Sequence, residues 1–470
     1  MMKKLWYILL LCMGINTHAQ QYFNERYTLN SAATILTSVH ESSSKYYMTG
    51  ICLDSINYSQ GYGYWAIKFS VFDKAGNIIR DTFYQKNRNL YSWNSKLQKL
   101  ADNSFLLAVD AVDTINGWYL MICRFDSLGN MLMEKEFLKP VCTGLNPAND
   151  LWRLTDFKPD GYGNWLMLST IACPVTSGVK GNLFLMKLDS SFNVIWHKQY
   201  GDNALNDIAG KILVDGNSYI LSGGRTNNNL TSKGFIYRAE LIKTDTAGNV
   251  QWTYLSPASR LTNAIQDVIK TQDGGYVYCG QGDGWEEAHP NGVSAHINWK
   301  GWVEKIDANR NVVWNKTINN ETSNWNSTYQ NVLKELQNGE ILIAGSLWQK
   351  INPSDTENYH FGCLTKVHAN GNTLWQRTYR YGNDTLIYLI YDMKRSADSG
   401  FILCGEARDE YFPYNDPTQR AWLIKVDSNG CMSPTDPQCH PTGADTDPEQ
   451  LTAIQLYPNP VNSTLYINNT

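Results

Sequence analysis

Charge is scarce in this sequence, and basic clusters are scarcer. Only 18% of the 470 residues are charged, with 40 Lys and Arg against 44 Asp and Glu, for a formal net charge of −4. No basic run or stripe gives the footprint of a nucleic-acid binder, so nucleic acid is not an expected partner. Beyond the N-terminus no stretch is long and apolar enough to span a bilayer, and no membrane span is expected in the mature chain. No G-x-S-x-G elbow, H-E-x-x-H pair or phosphate-binding loop is present. No catalytic residue stands out, no known metal spacing occurs, and no cofactor is expected. Amphipathic helical periodicity is also missing from the mature chain, which excludes an α-helical fold.

Aromatic residues, by contrast, are abundant, with 16 Trp and 28 Tyr, and this content excludes a disordered chain. The N-terminus, "MMKKLWYILLLCMGINTHAQ", has the layout of an export signal: Lys3 and Lys4, then a short apolar core, then a small residue at the end. Cleavage is expected after Ala19. Of the ten cysteines, nine then remain in an oxidising compartment, so at least one is free or paired externally. Cys431 and Cys439, in "CMSPTDPQC", are expected to form a disulfide that staples the end of the folded domain.

One phrase recurs throughout. "DKAGNIIR" at 73 returns as "DSLGNMLM" at 126, "DSSFNVIW" at 189, "DTAGNVQW" at 245, "DANRNVVW" at 307, "HANGNTLW" at 368 and, altered, "DSNGCMSP" at 427. The steps of 53, 63, 56, 62, 61 and 59 mark a radial or solenoidal array. Runs flanking each copy, such as "KILVDGNSYILSGG" and "AELIKTDTAGNVQWTYL", alternate apolar and polar residues with strand periodicity. Gly-Asn and Asp-Gly pairs at the reversals read as hairpin turns. Seven such units of four antiparallel strands predict an all-β, seven-bladed β-propeller over residues 20–432. The seventh unit ends without a fourth strand, whereas "YFNERYTL" at 22–29 resembles the outer-strand segments "IWHKQYG" and "LWQRTYRYG". The N-terminal strand is therefore expected to complete the seventh blade and close the ring. In the repeated turn the Asp is read as an acceptor of backbone hydrogen bonds, since a calcium loop needs more alternating oxygen donors. Trp196, Trp252, Trp314 and Trp375, in register, are read as packing between blades.

The "D…G…W" ending resembles the quinoprotein propeller repeat, a likeness of blades only. Those enzymes carry adjacent cysteines at the cofactor and eight blades, and neither feature is here. Residues 21–432 more closely resemble the repeats of secreted bacterial propeller proteins. After a polar linker spanning 433–450, "LYPNPVNSTLYI" resembles the opening of the C-terminal sorting domain of the type IX secretion system, matched at Tyr457, Pro458, Asn459 and Pro460. Residues 451–470 hold only the start of that domain. The resemblance implies that the full-length protein is exported by this machinery to the extracellular or outer-membrane surface.

In a four-stranded blade, the second-to-third and between-blade connections open on one face. Here these are long: "GQGDGWEEAHPNGVSAHINWKGW" in blade five is the richest in chemistry, with Trp285, Glu286, His289, His296 and Trp299, and Trp348 lies on the same face. Loops on a rigid scaffold commonly carry function, and Trp planes can stack a sugar. Cys142 and Cys173 are placed on this face as a second disulfide. The expected function is non-catalytic binding or adhesion to a glycan or surface protein. Alternatives are a propeller enzyme acting on polysaccharide, with Asp283 and Glu286 or Glu287, or Asp409 and Glu410, as acid pairs, and a structural surface component.

Overall fold

The computed structural model describes residues 22–29, 31, 33–53, 65–85, 89–91, 96–113, 117–140, 151–175, 178–201, 205–226, 237–257, 262–282, 300–318, 329–349, 359–382, 386–409 and 419–439. The export signal with Ala19, the second half of the linker and the sorting motif at Tyr457–Pro460 lie outside them. All regular structure among the described residues is β-strand.

Seven four-stranded antiparallel blades follow one another: 33–84, 89–138, 151–200, 207–255, 262–318, 329–379 and 387–426. In each blade the strands run from innermost to outermost in chain order. Blade 2 differs in that its inner strand is broken into Asn89–Tyr91 and Gln98–Lys99, both paired to Phe105–Asp113. Blade 7 supplies only three strands in sequence, and Phe23–Tyr27 adds the fourth by pairing Phe23 with Lys425 through to Tyr27 with Ala421. The N-terminal strand thus closes the ring, as its wording predicts.

The hydrophobic core lies between blades. Leu166, Leu168, Leu183 and Leu185 of blade 3, for example, pack with Ala209, Ile212, Tyr219 and Leu221 of blade 4. Second strands such as Ser218–Thr226 are therefore buried almost throughout, covered on both faces. Outer strands alternate instead. In Val194–Tyr200, Ile195 is exposed to solvent while Trp196, Lys198 and Tyr200 turn towards blade 4.

Those three positions explain the repeated wording. The Tyr200 hydroxyl donates to the Gly248 carbonyl in the next blade's turn at 2.8 Å, and Lys198 Nζ donates to Asn249 Oδ1 at 2.7 Å. Tyr379 repeats the bond to Gly430 O at 2.7 Å, and Tyr27 of the closing strand repeats it to Gly76 O at 2.7 Å. Trp314 lies against Gly371, where an added Cβ would meet the indole ring at 2.8 Å and where φ is +87°. Only glycine satisfies both demands there.

The turn itself is an Asp-anchored loop. Asp245 Oδ1 accepts from Ala247 N and Asn249 N at 2.9 and 2.8 Å, and Asn249 Nδ2 donates to Oδ2 at 2.9 Å. Asp73, Asp126, Asp189 and Asp307 make the same two contacts with the Asn four residues on. The Asp serves as the backbone acceptor expected of it.

A second recurring spacing within the chain is the cation two residues before six of the seven turns. Lys187, Lys243, Lys305 and Lys425 pair with Asp160, Asp215, Asp273 and Asp398 of the first hairpin at 3.0, 2.7, 2.5 and 2.7 Å. Arg124 pairs with Asp102 and Lys366 with Glu340 in the same way. First and third hairpins lie at the same end of the ring, so this end is tied down by short turns and ion pairs.

Candidate functional site

The inner strands line the central channel, and most break register at one level. A β-bulge falls between Leu36 and Ser38, Leu154 and Asp156, Ala209 and Ile212, Ile265 and Asp267, Gln330 and Val332, and Ile390 and Asp392. A bulge re-aims a side chain and leaves a backbone group unpaired within the ladder. Here the freed groups are used between blades. Asp156 Oδ2 accepts from Ile212 N at 2.9 Å, Asp267 Oδ2 from Leu333 N at 2.8 Å and Asp392 Oδ2 from Val39 N at 3.0 Å. Ser38 Oγ in turn accepts from Leu97 N at 2.8 Å.

Lysines answer the acids. Lys96 Nζ donates to Thr37 O at 2.9 Å and Tyr391 O at 2.7 Å, and sits 3.7 Å from Asp392. Lys211 Nζ reaches Thr155 O at 2.9 Å. Lys158 bridges Asp156, at 3.0 Å, and the Ile212 carbonyl. Lys394 lies 3.4 Å from Asp392. Together these groups surround a cavity of about 340 Å³ in the half of the channel nearest the short hairpins.

Burial and charge compete across this ring. Burial pushes the Lys211 ammonium down to about 8, against the pull of Asp156. Burial opposes ionisation of Asp392, but Lys394, Lys96 and the Val39 N–H outweigh it and hold the carboxyl below its ordinary range. Asp267 has no lysine bonded to it among the described residues, and burial raises it despite the Leu333 N–H.

The opposite end of the ring carries the long connections. Seventeen residues, 283–299, separate the second and third strands of blade 5. Trp285, Glu286, His289, His296 and Trp299 fall in that segment, outside the described residues; Cys142, and with it the expected pairing to Cys173, also lies outside them. Trp348 is described: it is half-buried at the end of the second strand of blade 6, its ring 4.0 Å from that of His360. Burial drives the His360 imidazole down to about 3, with Arg408 adding to the effect, so the ring is neutral. Trp348 Nε1 and His360 Nδ1 have no hydrogen-bond partner among the described residues.

A second aromatic group lies at this end. Tyr91 and Trp118 stack at 5.8 Å, and the Arg153 guanidinium lies 4.9 and 4.7 Å from their ring centres. Arg153 also pairs with buried Asp110 at 2.7 Å. Burial outweighs that arginine and raises the Asp110 carboxyl to about 7. The Cys431–Cys439 disulfide is formed, as the sequence predicts, and Cys52, Cys123, Cys279, Cys363 and Cys404 are buried.

No family model matches this chain, and no curated protein does. Solved structures resemble it at low similarity, a β-propeller domain among them. The β-propeller domain of the Trilobed protease from Pyrococcus furiosus aligns at 9% identity and a TM-score of 0.44, covering 85% of this chain and 96% of that one. The extracellular domain of a putative hybrid two-component system from B. thetaiotaomicron aligns at 10% identity and a TM-score of 0.43, covering 86% of this chain and 41% of that one. A protein of unknown function from Bacteroides caccae aligns at 10% identity and a TM-score of 0.34, over 60% and 81% of the two chains.

Proposed function

We propose that this protein is an exported, non-catalytic binding or adhesion module that takes a glycan or a surface protein at its long-connection end. The observation that carries the reading is the half-exposed aromatic surface at the roots of those connections, where Tyr91 and Trp118 stack beside Arg153. Flat aromatic faces next to a planar cation suit sugar rings and peptide side chains alike. Trp285 and Trp299 belong to the longest connection at the same end. The disulfide fits an oxidising compartment. The export signal and the type IX motif supply the route, with that secretion machinery as the partner of the full-length protein.

A polysaccharide enzyme is the second reading, favoured by Asp110, whose carboxyl is raised to about 7 as a general acid requires. One experiment separates the two. The protein is incubated with a panel of polysaccharides, and retention and released oligosaccharides are followed together by mass spectrometry. Retention without products is the expected result. Released products lost in D110N would make it an enzyme, and neither retention nor products would leave a structural role.

A further inference from the structure

The central channel holds more positive charge than its own acids neutralise. Lys334 and Arg395 join the four channel lysines at the cavity, so six cations face three carboxylates in a chain whose net charge is −4. The three acids are turned to the wall. Asp156, Asp267 and Asp392 each accept a backbone N–H from the neighbouring blade, and a cationic ligand would have to compete for oxygens already used. The lysines are differently placed. An ammonium carries three donors, and Lys394 spends one on Asp392 at 3.4 Å while Lys96 spends two on carbonyls. Donors and excess positive charge thus face a confined space lined mainly by charged and polar side chains, where field lines are focused. Its volume of about 340 Å³ lies at the small end of ligand pockets, roughly 300–1,000 Å³.

We propose that the hairpin half of the central channel is a binding site for a small oxyanion, phosphate or sulfate, either free or carried on a sugar. Lys394 and Lys158 bind the anion from the channel wall, and Lys334 and Arg395 draw it in at the mouth. The site is independent of the long-connection end, because its lining residues from blades 3 to 7 lie at or beyond the bulges, and Lys96 and Gln98 of blade 2 stand beside the segment leading into the first hairpin, towards the short hairpins.

The test is calorimetric titration of the full chain with inorganic phosphate, inorganic sulfate, galactose and a sulfated galactose. Saturable binding of the anions but not of galactose is expected, together with a rise in Tm with anion concentration. K394Q should weaken binding by about tenfold, the loss of one hydrogen bond to a charged group. The double variant K334Q/R395Q, changed only at the exposed mouth, guards against a folding artefact and should also bind more weakly. Tighter binding of the sulfated sugar than of inorganic sulfate would assign the anion to a glycan, and equal binding would assign it to the free ion. Absence of saturable binding for all three anions, or affinities unchanged in both variants, would overturn the site.

Discussion

Arg310 occupies a place where five of the seven copies of the repeat carry glycine and one carries Phe192, and its backbone pays for it with a φ of +72°. A non-glycine residue in that region costs on the order of 1 kcal/mol. The Arg310 guanidinium recovers part of this by lying 5.3 Å from the centre of the Trp252 ring, an exposed cation–π contact of about 0.5–1 kcal/mol. Arg310→Gly is therefore expected to change stability by less than about 1 kcal/mol. Trp252→Ala removes interblade packing as well and should cost about 2 kcal/mol. Urea midpoints of the two variants check this pair, and a larger loss from R310G than from W252A would contradict it. The role of Trp252 was legible from its register in four copies, whereas that of Arg310 was not, because a stray Arg in a turn reads as solvated charge.

Asp215 makes a pH prediction. Burial opposes its ionisation, but Lys243, Lys270 and the Tyr276 hydroxyl outweigh this and lower the carboxyl from its ordinary 3.8 to about 2. Between those values the unfolded chain binds more protons than the folded one, so the stabilisation present above the window is lost as pH falls through it. Asp215→Asn should lower Tm at neutral pH, and the gap from wild type should close between pH 4 and 2. A gap that persists at pH 2 would show that the ion pairs are not its cause.

At the scale of elements, the N-terminal strand is the ring's fastener. Its five residues pair with the seventh blade, and Tyr27 makes the interblade bond that Tyr200 and Tyr379 make elsewhere. Deleting 22–29 opens the contact between the first and last blades and should depress Tm far more than trimming an ordinary terminus. A truncated chain melting with wild type would contradict the closure. At the other end, Cys431→Ser releases a loop with a separation of 8 and should cost about 2–3 kcal/mol, read from the denaturant midpoint. Both elements were legible because each rests on local wording: an outer-strand phrase displaced to the start of the chain, and two cysteines around a Pro-bearing loop. The division of blade 2's inner strand was not, since nothing in "NLYSWNSKLQKL" marks where pairing lapses.

The whole molecule is a ring in which each blade hands side chains to the next. Acids stand at the bulges of blades 3, 5 and 7, as Asp156, Asp267 and Asp392, and the blades between offer Ile212 and Val332 at the corresponding paired positions. Seven is odd, so strict alternation must fail once, and Ser38 of blade 1 stands between Asp392 and Leu97. The signal for this was present in the sequence. "TDFKP", "QDVIK" and "YDMKR" each place an acid inside an otherwise inner-strand run. The spacing of the repeat alone does not reveal it, because convergence on a channel axis is a property of the closed ring. Attention to long connections likewise pointed to one end of the molecule, and the charged cavity lies towards the other.

The central claim is that the long-connection end performs the binding. Its most direct measurement compares retention on the polysaccharide panel for wild type, the double variant W285A/W299A, and K334Q/R395Q at the opposite mouth. The account predicts retention lost in W285A/W299A and kept in K334Q/R395Q, with both variants melting near wild type. Retention kept in the tryptophan variant and lost in the channel variant would contradict it.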